Sequence, residues 1–142
     1  MGYTNYIHIN PCKKEFSPCV LGKVKKILST YEALYSENLV KGFFHRNEKP
    51  TVTKDLIQFN TPSEDTGEDF YIDLTEGCSG FCKTCRETYD AAVKAVLMVL
   101  QSAGYLIKWN FDGGVDDTEY DAGIQLLAKA GIKYNKKMVP MG

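Results

Sequence analysis

The segment from Thr84 to Gly104 constrains the fold of this chain most strongly, because its apolar residues recur with the period of an α-helix. Thr84 and Glu87 have the spacing of a capping box, which predicts that the helix begins at Thr84. Glycine tolerates the left-handed backbone conformation that ends many helices, so Gly104 is the expected end. The buried stripe of this helix is predicted to contain Tyr89, Ala92, Val93, Val96, Leu97 and Leu100.

Two further helices are predicted from their start signals. Ser17 suits an N-cap, and Pro18 suits the first helical position because the N–H that proline lacks has no partner there. An apolar stripe then continues until Gly42. Asp116 and Glu119 repeat the capping-box spacing and predict a third helix that runs to about residue 130.

Four segments carry the alternating or β-branched pattern of strands, at 3–9, 52–59, 69–74 and 105–111. In the last of these, Trp109 is predicted to lie in the core. The resulting order is β-α-β-β-α-β-α, which favours an α+β fold with a small, mostly antiparallel sheet and about three helices. A chain of 142 residues has room for one domain with a substantial core, so we predict a single domain over 1–142.

Charge and hydropathy narrow the classes of partner. The chain has 17 basic and 18 acidic residues, which makes nucleic acid an unlikely main partner because neutralisation of phosphates dominates such binding. The longest apolar run, Ala95 to Leu100, is far shorter than the ~20 residues that a membrane span needs. The first nine residues lack the apolar centre of a signal peptide, and five cysteines without an export signal favour reduced thiols. We therefore expect a cytoplasmic protein that does not enter a membrane.

Three cysteines at the junction of the third predicted strand and the second helix raise the question of a metal site. Cys82 and Cys85 have the spacing of half a zinc knuckle, and Cys78 is close enough in sequence to be a third ligand. The alternative is that these are reduced structural cysteines, since one half-knuckle is a weak signal. We favour the alternative and expect neither a metal nor a cofactor.

The same segment has the composition of an anion site. Unpaired N–H groups and the positive end of the helix dipole at Thr84 attract negative charge, and Lys83 and Arg86 add two cations. It is not a Walker A loop, because Cys82 stands where the second glycine is required. The competing interpretation is that the capping box satisfies these donors and that both cations are simply solvated.

Aromatic and basic residues suggest further contacts with a ligand or partner. Phe81 and Tyr89 flank the predicted anion site and are candidates for stacking on a base. The segment Phe43-Phe44-His45-Arg46 combines two apolar rings with two basic side chains, so His45 and Arg46 are also candidate ligand contacts. No residue pattern identifies a catalytic group, because the two histidines lack a recognisable paired base.

The sequence also carries a resemblance over roughly residues 67–127. Gly67-Glu68-Asp69-Phe70, then Phe81-Cys82-Lys83-Thr84-x-Arg86-x-x-Tyr89-Asp90, then an apolar helix and an Asp112-Gly113 turn resemble a group of small, uncharacterised proteins encoded by tailed bacteriophages. Cys78 and Cys85 do not belong to that pattern, which weakens the metal interpretation. The resemblance implies a small accessory protein that acts by binding in the cytoplasm of the host cell.

These observations give three hypotheses of function. The first is a binding protein, expected to be a homo-oligomer, that sequesters an anionic, nucleotide-like ligand such as a host immune signalling nucleotide. The second is a protein–protein inhibitor of a host defence or replication enzyme, which would use the acidic loop Glu64 to Asp69 or the Phe43–Arg46 turn. The third, a phosphoesterase-like enzyme using His8 or His45, has the least support, and we expect a protein without catalysis.

Overall fold

The computed structural model describes residues 3–63, 67–77, 80–113 and 117–134. Within them, three helices and two three-stranded antiparallel sheets confirm the predicted α+β class. In chain order the elements are β1 (Thr4–Ile9), α1 (Pro18–Tyr35), β2 (Thr51–Val52), β3 (Leu56–Phe59), β4 (Phe70–Asp73), β5 (Gly80–Lys83), α2 (Asp90–Ser102), β6 (Leu106–Phe111) and α3 (Thr118–Lys129).

The first sheet has β1 at its centre, in the order β5-β1-β6. Both neighbours are antiparallel to β1, so β5 and β6 run in the same direction and α2 connects them in a split β-α-β arrangement. The alternation predicted for β1 is confirmed, since Ile7 and Ile9 are buried and Tyr6 and His8 are exposed. Trp109 of β6 is fully buried, as predicted.

The second sheet has the order β2-β3-β4. The single strand predicted over 52–59 is divided into β2 and β3 by a tight turn, which is closed by a hydrogen bond from the Thr53 N–H to the Leu56 carbonyl at 2.9 Å. Phe59 and Phe70 stack across β3 and β4 with ring centroids 4.9 Å apart, and both are fully buried. This pair fixes the hairpin to the core.

Helix α1 begins as its sequence predicts and ends earlier. The Ser17 side chain accepts a hydrogen bond from the Val20 N–H, which confirms Ser17 as the N-cap. The helix ends at Tyr35, not near Gly42, because Ser36 adopts a left-handed conformation with φ of 52°. The residues after Ser36 turn back toward the second sheet, where Val40 forms a β-bridge with Asn60.

Helix α2 starts at Asp90 with Tyr89 as its N-cap, five residues later than the predicted cap at Thr84. The N–H groups of Thr84 and Cys85 both donate to the Tyr3 carbonyl, which holds this part of the chain against the end of β1. Cys85 and Arg86 then take left-handed conformations with φ of 54° and 59°, which a helix cannot contain. The prediction of a capping box at Thr84 is therefore wrong. Part of the segment predicted as an anion-binding loop forms strand β5.

Helices α2 and α3 pack closely. Every residue of α2 from Asp90 to Leu100 is buried, so the helix is enclosed on all sides rather than along one stripe.

Helix α3 is capped by Asp117, whose side chain accepts from the Glu119 N–H, and the predicted cap Asp116 lies outside the described residues. None of the helices that the structure describes is long and apolar enough to cross a membrane.

Candidate functional site

A cleft of about 650 Å³ lies between α1 and the segment that follows it. Its lining combines apolar side chains with cations and amides, of which Lys25, Leu28, Leu39, Arg46, Asn47 and Lys49 are representative. The size falls within the range of about 300–1,000 Å³ that is typical of small-molecule sites.

The cleft is supported by one hydrogen bond between α1 and the segment that follows it, and by another within that segment. Glu32 on α1 accepts from the Leu39 N–H at 2.8 Å, which ties the segment after the helix to the helix itself. On the opposite wall, the Lys41 N–H donates to the Glu48 carbonyl at 2.8 Å and closes the turn between them. The cleft is thus built from an ordered helix face and a hydrogen-bonded turn, which is the kind of support that a preformed site needs.

The carboxylates that line the cleft have partners, whereas two of its lysines have no ion pair among the described residues. Lys25 and Lys49 are exposed and make no ion pair with any residue that the structure describes. The two carboxylates of the lining are engaged, since Glu32 holds the Leu39 N–H and Glu48 lies 2.9 Å from His45 and 3.8 Å from the Lys41 ammonium. Two ammonium groups therefore remain available to an anion.

Of the two predicted ligand contacts His45 and Arg46, only Arg46 lines this cleft. Arg46 lines it, and its Nη1 donates to the carbonyls of Pro62 and Ser63 at 3.0 and 3.1 Å. Its guanidinium carbon also lies 4.8 Å from the centroid of the Phe43 ring. His45 does not line the cleft, and its Nδ1 is paired with Glu48, which does. The structure thus brings Arg46 to the cleft and places His45 one residue outside it.

The residues of the predicted anion site are not assembled around a helix start. Lys83 is the last residue of β5, its side chain is exposed, and its backbone N–H donates to Glu68 Oε1 at 2.8 Å. Thr84 is fully buried, and its hydroxyl donates to Asp90 Oδ1 at 2.7 Å. The threonine hydroxyl is therefore engaged inside the protein.

Arg86 is surrounded by acidic side chains. Its Nη1 lies 2.7 Å from Glu119 and 3.6 Å from Asp117, and its guanidinium stacks 4.3 Å from the centroid of the Tyr3 ring. A small cavity of about 240 Å³ beside it is lined by more carboxylates than cations, because Glu87, Asp90 and Glu119 line it together with Arg86. An anion there would meet a guanidinium that already has two negative neighbours.

Tyr89 and Cys82 are core residues in this structure. Tyr89 is fully buried and its hydroxyl donates to the Glu68 carbonyl at 2.8 Å, so its ring has no surface for stacking on a base. Burial raises the pKa of the Tyr89 phenol and of the Cys82 thiol. Cys78 lies outside the described residues, and among those that are described no group of three or more His, Cys, Asp or Glu side chains is placed to hold a metal.

The sequence patterns did not predict a buried polar cluster that the structure forms from Asn5, Thr84, Asp90 and Lys94. Asp90 Oδ1 accepts from Asn5 Nδ2 at 2.9 Å and from Thr84 Oγ1, while Asp90 Oδ2 accepts from Lys94 Nζ. Lys94 Nζ also donates to Asn5 Oδ1 at 3.0 Å. Burial lowers the pKa of Lys94, an effect that Asp90 opposes. The signal that could have revealed it is an acid and a base four positions apart on the face of an otherwise apolar helix.

No family model, curated protein or solved structure matches this chain.

Proposed function

We propose that this protein binds a small anionic, nucleotide-like ligand in the cleft between α1 and residues 38–50. The observation that carries the proposal is the combination of a cleft of about 650 Å³ with two ammonium groups, Lys25 and Lys49, that have no carboxylate partner among the described residues. Cations without a partner at the edge of a mostly apolar concavity are the arrangement that recognises an anionic head and a less polar body.

The lining suggests how such a ligand lies. The apolar floor, which includes Leu28, Leu39 and Val52, suits the flat face of a base or another heterocycle. Asn38 and Asn47 supply amides that can both donate to and accept from the edge of such a ring. The phosphate groups would then point toward Lys25 and Lys49.

The bonding of the 83–86 segment favours the cleft over the start of α2 as the ligand site. The Thr84 hydroxyl is held by Asp90, and the Arg86 guanidinium is held by Glu119. A ligand at that position would have to displace contacts that already exist, whereas Lys25 and Lys49 have no ion pair to lose among the residues that the structure describes. The role that we propose is sequestration, in which a phage-type accessory protein lowers the free concentration of a host signalling nucleotide without converting it.

Isothermal titration calorimetry tests the proposal by measuring the affinity of the protein for mononucleotides, cyclic dinucleotides and inorganic phosphate. Each ammonium–phosphate contact that is lost should weaken binding about tenfold, so Lys25→Ala and Lys49→Ala should each reduce the affinity by about that factor. Lys26→Ala is the matched control, because Lys26 is an exposed lysine of the same helix that does not line the cleft.

A double variant separates the two locations. If Lys83→Ala with Arg86→Ala abolishes nucleotide binding while the cleft variants bind normally, the site lies at the 83–86 segment and the cleft proposal is wrong. Absence of binding to every nucleotide of the panel, together with no co-purified small molecule in native mass spectrometry, also rejects it. The same mass spectra report the subunit count and so test the expected homo-oligomer.

A further inference from the structure

Three exposed phenylalanines from two distant parts of the chain surround one shallow concavity. Phe43 and Phe44 belong to the turn after α1, Phe81 belongs to β5, and their exposed fractions are 48%, 86% and 64%. With Glu68 and Asp69 they line a concavity of about 470 Å³, and these five residues are called the aromatic surface. None of these five residues lines the cleft between α1 and residues 38–50.

The rings are held in place and not merely left outside the core. Asp69 Oδ1 accepts from the Phe43 N–H at 2.8 Å, so a carboxylate of the concavity anchors the turn that carries two of the rings. Phe43 and Phe44 pack edge to face with centroids 4.9 Å apart. Exposing large apolar rings costs solvation free energy, and a cluster of them typically marks a contact site.

The charged residues that line this region are all acidic. Glu68 and Asp69 line the aromatic surface, and an adjoining cavity of about 300 Å³ that also contacts Phe81 is lined by Asp73 and Glu76. No lysine or arginine lines either cavity in the part of the chain that the structure describes. The guanidinium carbon of Arg46 lies 4.8 Å from the centroid of the Phe43 ring, which shows that this ring accepts a cation.

We infer that the aromatic surface is a docking site for a segment of another protein that carries both apolar and cationic side chains. The phenyl rings give the segment apolar contact area, and the carboxylates together with the ring faces attract lysine or arginine. A two-fold contact between two copies of this chain through the same surface would instead bring Glu68 and Asp69 of both copies together. Charge complementarity therefore favours a basic partner over a second copy.

The experiment is a selection from a random peptide library on the purified protein, followed by affinity measurement with the selected peptides. We expect enrichment of peptides that combine arginine or lysine with aromatic or aliphatic residues. Phe44→Ser and Phe81→Ser should each weaken the selected peptides by about tenfold, as expected for truncation of a central contact ring. Glu68→Gln should weaken them less and should reduce the dependence of binding on salt.

Ile107→Ser is the matched control, because Ile107 is a comparably exposed apolar residue, at 55%, on β6 and outside the aromatic surface. Circular dichroism of each variant verifies the fold. Enrichment of acidic peptides, absence of any enrichment, or binding that survives both phenylalanine substitutions would overturn the inference. Self-association that is lost in Phe44→Ser would also overturn it, since the occupant would then be a second copy of the chain.

Discussion

Lys94 Nζ lies 2.7 Å from Asp90 Oδ2, one turn away on α2, and both side chains are almost completely buried. Asn5 on β1 bonds to both of them, and the Thr84 hydroxyl bonds to Asp90. The aromatic rings of Tyr3 and Phe111 each lie 4.4 Å from the ammonium. These hydrogen bonds link the first turn of α2 to β1 and to Thr84, which follows β5.

Asp90→Asn should be strongly destabilising, because it leaves the Lys94 ammonium buried without its ion-pair partner. Breaking one partner of a buried pair typically costs about 3–5 kcal/mol. The double variant Asp90→Asn with Lys94→Met removes both charges and keeps an oxygen for Asn5 and Thr84. We expect its loss of unfolding free energy, measured in urea, to be clearly smaller than the sum of the two single losses. Additive losses would mean that the two charges do not interact.

Gly123→Ala should disrupt the packing of α3 on α2. A Cβ at Gly123 would lie 2.9 Å from the Lys94 Cβ and 3.2 Å from the Met98 Cε. Overpacking of this kind costs about 1–3 kcal/mol. Gly22→Ala is the control, since Gly22 is an exposed position of α1 with open space around its Cβ direction, and there we expect a gain of about 0.5–1 kcal/mol. Thermal unfolding of the two variants measures both, and equal midpoints would contradict the packing.

Alkaline pH should destabilise the protein through its buried tyrosines. Burial raises the pKa of the Tyr3, Tyr31 and Tyr89 phenols, with nearby carboxylates adding to the effect at Tyr3. In the unfolded chain a tyrosine ionises near pH 10. Above about that pH, the unfolded state therefore releases phenolic protons that the folded state keeps. These residues therefore leave stability unchanged below about pH 10 and lower it as the pH rises further.

The phenolate ultraviolet absorbance, followed together with circular dichroism, measures this effect. We expect part of the absorbance of the nine tyrosines to appear only when the helical signal is lost. If all of them titrate near pH 10 while the circular dichroism stays native, the three phenols are not buried as described.

The thiols should differ in reactivity according to burial. Cys12 and Cys19 are exposed, whereas Cys82 is buried and burial raises its pKa, so little thiolate forms there. In the native protein we expect iodoacetamide to modify Cys12 and Cys19 and to leave Cys82 unmodified, as measured by peptide mass spectrometry. Adding a chelator separates burial from zinc binding. Protection by burial persists in the chelator, but protection by a metal would be lost, and that result would revive the zinc interpretation.

Local signals predicted the elements whose stability comes from their own neighbours. The Ser17–Pro18 start of α1 and the alternation of Tyr6, Ile7 and His8 in β1 appear in the structure because capping and strand alternation depend on residues a few positions apart. The end of α1 was less predictable. The apolar stripe continues past Tyr35, but Ser36 turns the chain toward Asn60, which is distant in sequence.

The start of α2 shows how a long-range contact overrides a local signal. Thr84 and Glu87 have capping-box spacing, yet the Tyr3 carbonyl takes the two N–H groups that would have begun the helix, and Asp90 takes the threonine hydroxyl. Asp90 is six residues from Thr84, but Tyr3 is more than 80 residues away in sequence. A prediction based on local spacing has no access to such a partner.

The sequence by itself determined the α+β class, three helices, the strands β1, β4 and β6, and the burial of Trp109, because each follows from hydrophobic period and local caps. Only the tertiary structure decided which polar and charged side chains have partners inside the protein. It pairs Arg86 with Glu119 and buries Thr84 and Lys94, while it leaves Lys25 and Lys49 without a carboxylate partner among the described residues. The physical reason is that a charge becomes available to a ligand only when folding brings no internal partner to it, and internal partners come from across the chain.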